Sequence, residues 1–398
     1  MHVTIVGGGF GGVKAALEIA KNPRNSVTLI TDKPDFQYYP TLYSSATGHS
    51  YRESWAPLGE LFGDHKNIDV HIDEITELDA QKRIVSGASK TDYHYDHLIL
   101  ALGVVTTYFD IEGLETYAYG IKSEAEIRRL KHRLYIDIAE NHTFDKNYVI
   151  VGAGPTGVEL AAALCTYLRR LADHYDMRSH RVSVRLVEAA PRVLPRSAVA
   201  VSKRVEKRLK RLGVKVETNK KVEEATATEL IVSGKPVTSH TVIWTSGVAN
   251  HPFFTKHSKV FEFAPNKRVV VNEHLEAAKD VYVIGDNAAT PFTGLAQTAI
   301  HDARFVASNL ERKSRRKPLK SYQAVRPIQA IPVGANWAVI EWGWFRMYGY
   351  VASLIRRAAD LFGYSEVFPL GTSLSSWHAA KIHESDYFTP SPEVKKRR

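Results

Sequence analysis

One cysteine, Cys165, is all that the 398 residues contain. A single thiol excludes a disulfide framework, a Cys-x-x-Cys redox pair and a thiolate zinc cluster. Histidine gives no metal site either: His94 and His97 flank the start of a strand with no third ligand at metal spacing. Long apolar runs are also missing. No window reaches the roughly 18 uninterrupted apolar residues that a membrane-spanning helix needs. Residues 331–345 come nearest, and Asn336 and Glu341 break that run. Nor is there space for a signal peptide, because the strand-like His2-Val3-Thr4-Ile5-Val6 begins at once. A non-secreted protein is expected. What remains is ordinary: 44% apolar and 24% charged residues are the balance of a globular protein. At about 150 residues per domain, the length suggests two or three domains.

Acidic residues are scarce only at one end. The whole chain has 53 Lys+Arg against 43 Asp+Glu, a net charge of +10. Residues 304–398 hold 16 basic and 7 acidic residues, so +9 of that sum belongs to the last quarter. Such asymmetry suits an anionic surface, membrane or nucleic acid, met by one end of the molecule. No helix-turn-helix or RNA-binding signature is present, so nucleic acid is not expected.

Two segments 145 residues apart read alike. Ile5-Val6-Gly7-Gly8-Gly9-Phe10-Gly11-Gly12-Val13 aligns with Ile150-Val151-Gly152-Ala153-Gly154-Pro155-Thr156-Gly157-Val158. Each is an apolar strand entering GxGxxG and then an Ala/Leu-rich helix. The first glycine makes the tight turn, the second admits a pyrophosphate to the backbone, and the third lets helix and strand pack closely. Both copies continue into a strand that ends in an acid, Asp32 in the first and Glu188 in the second, each placed to accept hydrogen bonds from a ribose. Glu188 should repel a 2′-phosphate and favour NADH, although Arg185 and Arg192 lie nearby. Two dinucleotide sites in one chain suggest one bound flavin dinucleotide and one exchanging nicotinamide dinucleotide. Leu98-Ile99-Leu100-Ala101-Leu102-Gly103 reads as a buried strand closing the first half. Val281-Tyr282-Val283-Ile284-Gly285-Asp286 reads as a later strand returning to it, with an acid at its end for a ribityl or ribose hydroxyl.

The chain therefore resembles the two-dinucleotide-binding-domain flavoproteins, and within them the type II NADH dehydrogenases (NADH:quinone oxidoreductases). The likeness runs from residue 3 to about 311. It rests on Tyr39-Pro40-Thr41-Leu42-Tyr43 with Ala46-Thr47-Gly48, on Ala101-Leu102-Gly103 with Tyr108-Phe109-Asp110-Ile111-Glu112-Gly113, on Trp244-Thr245-Ser246-Gly247-Val248, on Gly285-Asp286, and on Ala296-Gln297-Thr298-Ala299. The family's AQxAxQ motif ends in His301 here, and its FGIPG stretch carries Glu112 in place of proline. Relatives that reduce disulfides or oxidise sulfide use redox cysteines, which this chain lacks. Tyr43-Ser44-Ser45 stands beside the expected flavin, and Cys165 reads as a buried structural residue.

The resemblance implies an α/β fold of two Rossmann-like domains, the second inserted in the first; a C-terminal membrane-associating region is expected after them from the residue pattern there. The expected divisions are 1–112 and 251–325 for the FAD-binding domain, 113–250 for the NADH-binding domain and 326–398 for the C-terminal region. FAD would be held by Gly7, Gly9, Gly12, Asp32, Thr47, Gly48, Gly103, Gly285, Asp286, Ala296 and Gln297. NADH would be held by Gly152, Gly154, Gly157, Glu159, Glu188 and Gly247. The implied reaction is hydride transfer from NADH to FAD, then two electrons and two protons to a quinone, without proton pumping. Glu159 is the expected carboxylate near the two rings, and a helix-start acid is its plainer reading. Gln297 is the expected contact to a quinone carbonyl or the flavin. His301, four residues on, shares its helical face and is either a proton donor or a tolerated polar replacement.

The run Lys203–Arg211 reads as a solvated basic helix. Trp344, Met347, Tyr348, Val351, Leu354, Ile355, Ala358, Leu361 and Phe362 recur at helical spacing, with Arg346, Ser353, Arg356, Arg357 and Asp360 on the other face. That reads as a basic amphipathic helix lying in a membrane interface, completed by the tail Lys395-Lys396-Arg397-Arg398. The same apolar face could instead dock on the flavin domain or a homodimer partner. The expected location is peripheral, on the cytoplasmic face of the cell membrane. Two other readings stand beside it: a soluble flavin reductase of ferredoxin, rubredoxin or oxygen, and an NADH-responsive flavoprotein acting through partner contacts.

Overall fold

Val3, Ile5 and Val6 put apolar side chains on both sides of the pleat, which a strand tolerates only where both faces of its sheet are covered. The computed structural model, which describes residues 1–177 and 181–384, shows such a sheet. Six strands lie in the order 276–278, 281–283, 97–100, 2–6, 26–31, 68–72. All pair in parallel except the edge strand Glu276–Ala278. The helices Phe10–Ala20 and Ala296–Ser314 pack against each other and bury Phe10, Ile19, Ala303 and Val306 with Val3 and Ile5. A second, four-stranded parallel sheet runs 214–217, 184–187, 148–151, 241–244. Its core gathers Tyr148, Ile150, Leu186 and the helix Pro155–His174 through Leu160, Leu164 and Leu168.

In sequence, the chain leaves the first sheet after Leu100 and rejoins it at Glu276, with all four strands of the second sheet in between. Outward and return crossings pair with each other: Val104–Thr106 lies antiparallel to Val248–Asn250. The fold is thus α/β, with two sheets of similar strand order and the glycine loops at equivalent ends.

The C-terminal region departs from expectation. The amphipathic helix begins at Tyr350 and ends at Ser365. Met347 and Tyr348 belong instead to a three-stranded antiparallel sheet of 329–332, 338–342 and 345–349, and Trp344 to the turn between its last two strands. The helical spacing continued through a strand because Gly349, at φ +92°, turns the chain without interrupting the apolar series. The helix's polar face is not its outer face. Arg356 is 8% exposed and Asp360 lies beside it, while Val351, Leu354 and Phe362 face solvent.

This region is also part of both cores. Ile331, Val333 and Val339 join the second core, and Tyr364, Val367 and Phe368 join the first. The Tyr364 ring lies on Tyr38 at 4.1 Å, and Phe368 meets Phe36 edge-on at 5.4 Å. The basic helix Val199–Arg211 is partly committed to it: Arg204 covers the Tyr348 ring, while Arg208 donates to the Val333 and Ala335 carbonyls. The tail at 395–398 lies outside the described residues.

Candidate active site

The two glycine loops are built alike, atom for atom. Gly7 donates to the Ile30 carbonyl and Gly152 to the Val187 carbonyl, both at 2.8 Å, which fixes each turn to its neighbouring strand. Gly7 and Gly152 hold φ values of +112° and +104°, open only to glycine. A Cβ on Gly12 would fall 1.8 Å from the Gly7 carbonyl oxygen, and one on Gly157 would fall 1.8 Å from that of Gly152. These third glycines serve helix–strand packing. The middle ones, Gly9 and Gly154, would project a Cβ into open space. That opening faces a helix N-terminus in each loop, where backbone N–H groups and the helix dipole suit a diphosphate.

The two acids follow the strands next to the loops. Asp32 follows the strand Ser26–Thr31 and is exposed. Glu188 accepts from the backbone N–H of Ala153, inside the second glycine loop, at 2.6 Å and from Ala190 at 2.8 Å. Its carboxylate is thereby held at the loop. The neighbouring arginines are committed elsewhere. Arg185 makes a forked pair with Glu217 at 2.8 and 2.9 Å, and Arg192 donates to the Ser197 and Pro195 carbonyls and to the Ser202 hydroxyl. Asp286 accepts from Gly294 at 3.0 Å, and burial pushes its carboxyl above the usual range against the pull of Arg268. Gly103, at φ +70°, has open space over its Cα. Asn287, fully buried, clamps it from both sides, donating to its carbonyl and accepting from its N–H. Sequence reading passed over Asn287, although it directly follows Gly285-Asp286. Asp302 was likewise missed: it accepts from Gly285 N–H at 2.9 Å and from the Tyr322 hydroxyl at 2.6 Å, holding the turn that presents Asp286.

Each of the other residues taken from the resemblance has a defined place within the protein. Thr47 is buried and donates to the Tyr43 and Ser44 carbonyls of its own short helix. Gly48, at φ +88°, is small because a Cβ would lie 2.4 Å from the Tyr167 ring. Both lie where the segment 39–54 meets the helix 155–174. Gly247 leaves no room for a Cβ beside the Thr107 carbonyl, 2.3 Å away, and its own carbonyl accepts from Lys122. Ala296 opens the helix that carries Gln297 and His301. Those two side chains do share a face, and that face holds the connecting segment. The Gln297 amide donates to the Ile328 carbonyl at 2.8 Å and accepts from its N–H at 3.1 Å; His301 Nε2 lies 2.8 Å from the Gln323 carbonyl. Contact with a substrate would require Gln297 to exchange these bonds.

Beside the first residues of the helix 155–174 lies a buried group of charges. Glu159 is half-buried and surrounded by protein, and burial pushes its carboxyl up to about 8, against the attraction of Arg356 and helped by Asp360. Burial likewise lifts Glu53 to about 8, although Ser44 donates to its Oε2 at 2.8 Å. Arg356 reaches in from the C-terminal helix, pairs with Asp360 and donates to the Pro40 carbonyl at 3.1 Å. Burial works against its charge, but the paired Asp360 carboxylate outweighs it and keeps the guanidinium charged. Tyr43 is pushed well above its ordinary value by the same burial. At neutral pH, two carboxyls here keep their protons around one fixed cation. Cys165 has no part in this: it is buried and donates to the Leu212 carbonyl at 3.0 Å. Among the described residues there is no group of side chains suited to a metal ion.

The sequence profile of the pyridine nucleotide-disulphide oxidoreductases matches residues 1–303. The chain is similar to a type II NADH:quinone oxidoreductase of Mycobacterium tuberculosis, at 27% identity over 94% of this chain and 87% of that protein. It is also similar to that of Staphylococcus epidermidis, at 25% identity over 84% of this chain and 88% of the other. Among solved structures, the NDH2 of Plasmodium falciparum in complex with NADH superposes with a TM-score of 0.86 at 18% identity, covering 98% of this chain and 99% of that one. The sulfide:quinone oxidoreductase of Aquifex aeolicus shares the fold with a TM-score of 0.80 at 20% identity, over 93% and 92% of the two chains.

Proposed function

Because the chain belongs to the pyridine nucleotide-disulphide oxidoreductase family, we propose that it is an FAD-dependent type II NADH:quinone oxidoreductase, passing two electrons from NADH to a quinone. The observation that carries this reading is the pair of glycine loops, each with its middle Cα facing open space, in a chain whose one cysteine is buried against the Leu212 carbonyl. FAD, when bound, supplies a two-electron carrier between a hydride donor and an acceptor. With no redox thiol to take the electrons onward, they leave for an external acceptor. The relatives named for NADH:quinone oxidation agree with that exit.

The chain's own residues divide the work. Gly7, Gly9, Gly12 and Asp32 would hold FAD, with Gly103, Gly285, Asp286 and the start of the helix at Ala296 on its other side. Gly152, Gly154, Gly157 and Glu188 would hold NADH, with Gly247 at the crossing. The division of the chain at about 113, 250 and 325 follows from this assignment. A fixed Glu188 disfavours a 2′-phosphate, and neither Arg185 nor Arg192 is available to offset it. Glu159 carries a proton at neutral pH beside the reacting rings. Gln297 and His301 fix the segment 322–328 over the acceptor side.

The C-terminal region supports attachment to a membrane surface. Trp344 is 88% exposed, Leu370 71% and Phe362 67%, and Trp342, Tyr350, Val351 and Leu354 extend the same apolar surface. Monomeric proteins seldom leave so much apolar area in water without a use for it. Arg346 and Arg357 are exposed among these residues. An anionic leaflet contributes about 1 kcal/mol per basic side chain at such a surface. No helix among the described residues is long and apolar enough to cross a membrane. Peripheral attachment, at the cytoplasmic face, is the form that fits, and a homodimer across the same face is the alternative use of it.

The test is purification under native conditions, with flavin identified and counted and turnover measured with NADH, NADPH and a short-tailed quinone. One FAD per chain and a kcat/KM for NADH at least tenfold above that for NADPH are expected, equivalent to about 1.4 kcal/mol or more. FMN, no flavin, or equal use of both nucleotides would contradict the assignment.

A further inference from the structure

Reduction of a quinone by NADH consumes one proton from solvent: NADH + H⁺ + quinone → NAD⁺ + hydroquinone. The hydride carries two electrons and one proton, and the second proton has to reach a site built inside the protein. The groups around Glu159 are buried, so that proton needs a route. Resting on the quinone reading above, we propose that Glu53 and His49 form the proton-uptake route of this enzyme, with Glu53 as an internal proton carrier and His49 as its link to the surface.

Glu53 is 7% exposed and sits at the end of a one-turn helix capped by Ser50. Its backbone carbonyl is fixed by Tyr364, which donates at 2.6 Å, and by Thr41 at 2.9 Å, so the residue is rigidly placed. Its Oε2 accepts from Ser44, the residue after Tyr43, which shares the surroundings of Glu159. On the other side, His49 Nδ1 lies 3.8 Å from Oε2. The same Nδ1 is 2.9 Å from the Ala380 carbonyl, so a modest ring rotation would exchange one partner for the other. The His49 side chain keeps 24% exposure, and its ring rests 3.9 Å from that of His383, whose Nδ1 is 2.8 Å from Arg170 at the surface. A titratable ring thus connects solvent to a buried carboxyl.

The polar and titratable groups facing Glu53 are Tyr38, Tyr43 and Ser44 from the segment 38–45, His49 from the following turn, and Arg356, Arg357, Asp360 and Tyr364 from the C-terminal helix. Glu159 faces Arg356, Asp360 and Tyr43. The two carboxyls therefore share Arg356 and Asp360. Loss of a proton from Glu159 to the acceptor is compensated by Arg356, and Glu53 refills the cluster. Both carboxyls hold their protons at neutral pH, which is what a store needs, and neither takes part in hydride transfer. For the redox chemistry, Glu53 is silent until an acceptor requires a proton.

The experiment compares wild type, E53Q and H49A as flavin-loaded full-length proteins. Three rates are measured from pH 5.5 to 9: flavin reduction by NADH, reoxidation by ferricyanide, and reoxidation by a short-tailed quinone. Ferricyanide takes electrons without protons. In E53Q we expect the first two rates to stay within about twofold of wild type and quinone reoxidation to fall at least tenfold, with a changed pH profile and an altered solvent deuterium isotope effect. H49A should show a smaller fall in quinone reoxidation, restored by added imidazole. If wild type reduces ferricyanide but no quinone, the quinone reading fails and takes this inference with it. If wild type reduces quinone and E53Q keeps its rate and pH profile, the route alone is overturned. Should E53Q not retain flavin, H49A decides: imidazole rescue supports the route, and an unaltered quinone rate refutes it.

Discussion

At the scale of single residues, the glycines separate into two kinds that one substitution each would distinguish. Gly12→Ala puts a methyl 1.8 Å from a backbone oxygen, so it should unsettle the first strand–helix junction itself and lower the thermal midpoint of the flavin-free protein. Gly9→Ala meets nothing within 4 Å in the protein and should leave that midpoint within about 1 °C while reducing flavin occupancy severalfold. Equal effects of both on the flavin-free protein would refute this division. Glu159 gives a second prediction. Its carboxyl, at about 8 in the fold against 4.5 as the ordinary value, stabilises the folded state below about pH 4.5, and that contribution is lost as pH rises through 8. Urea unfolding of Glu159→Gln and wild type should therefore show the variant gaining on wild type from pH 5 to 9, by no more than about 1.4 kcal/mol per pH unit. A constant gap would mean that Glu159 ionises normally. The glycines were legible in the sequence because backbone sterics prescribe them. Glu53, Arg356 and Asp360 were not, since a carboxyl becomes a proton store only through neighbours brought from residues 38–54 and 350–365.

At the scale of elements, periodicity told the strands and both glycine-loop helices correctly, because each buries both faces or one stripe in a single core. It misled at 344–362, where strand, glycine turn and helix together mimic one helical series. It also misplaced the charges. An amphipathic pattern says that two faces differ, and it is silent on which one meets the protein. Here the polar stripe turns inward because Arg356 and Asp360 neutralise each other beside Glu53 and Glu159, leaving Leu354 and Phe362 outward. Deleting the region would remove Ile331, Val339, Tyr364 and Phe368 from two cores, so point changes are the better probe. Leu354→Glu with Phe362→Glu should leave flavin content and thermal midpoint unchanged while abolishing sedimentation with anionic liposomes. Activity with long-tailed quinone should fall at least fivefold, and activity with short-tailed quinone should hold. Unchanged liposome binding combined with a shift to monomer in sedimentation velocity would assign the face to a partner subunit instead.

At the scale of the molecule, two parallel sheets, each with a glycine loop, are joined by a crossed strand pair and braced by a C-terminal region that belongs to both cores. The repeat of glycine loop, helix and acid made this architecture readable, since two complete copies demand two parallel sheets. The brace was unreadable because its contacts are all long-range. Electrons enter from NADH at one loop and, with Cys165 sealed against Leu212, have no thiol to stop on. Everything therefore turns on what takes them. The most direct measurement is anaerobic stopped-flow of the NADH-reduced, flavin-loaded protein mixed in parallel with a quinone, a ferredoxin-type protein and oxygen. The account predicts reoxidation by quinone at least a hundredfold faster than by either alternative, at a rate no slower than steady-state turnover. Faster reoxidation by the iron–sulfur protein or by oxygen, or a reduced flavin that persists with all three, would contradict it.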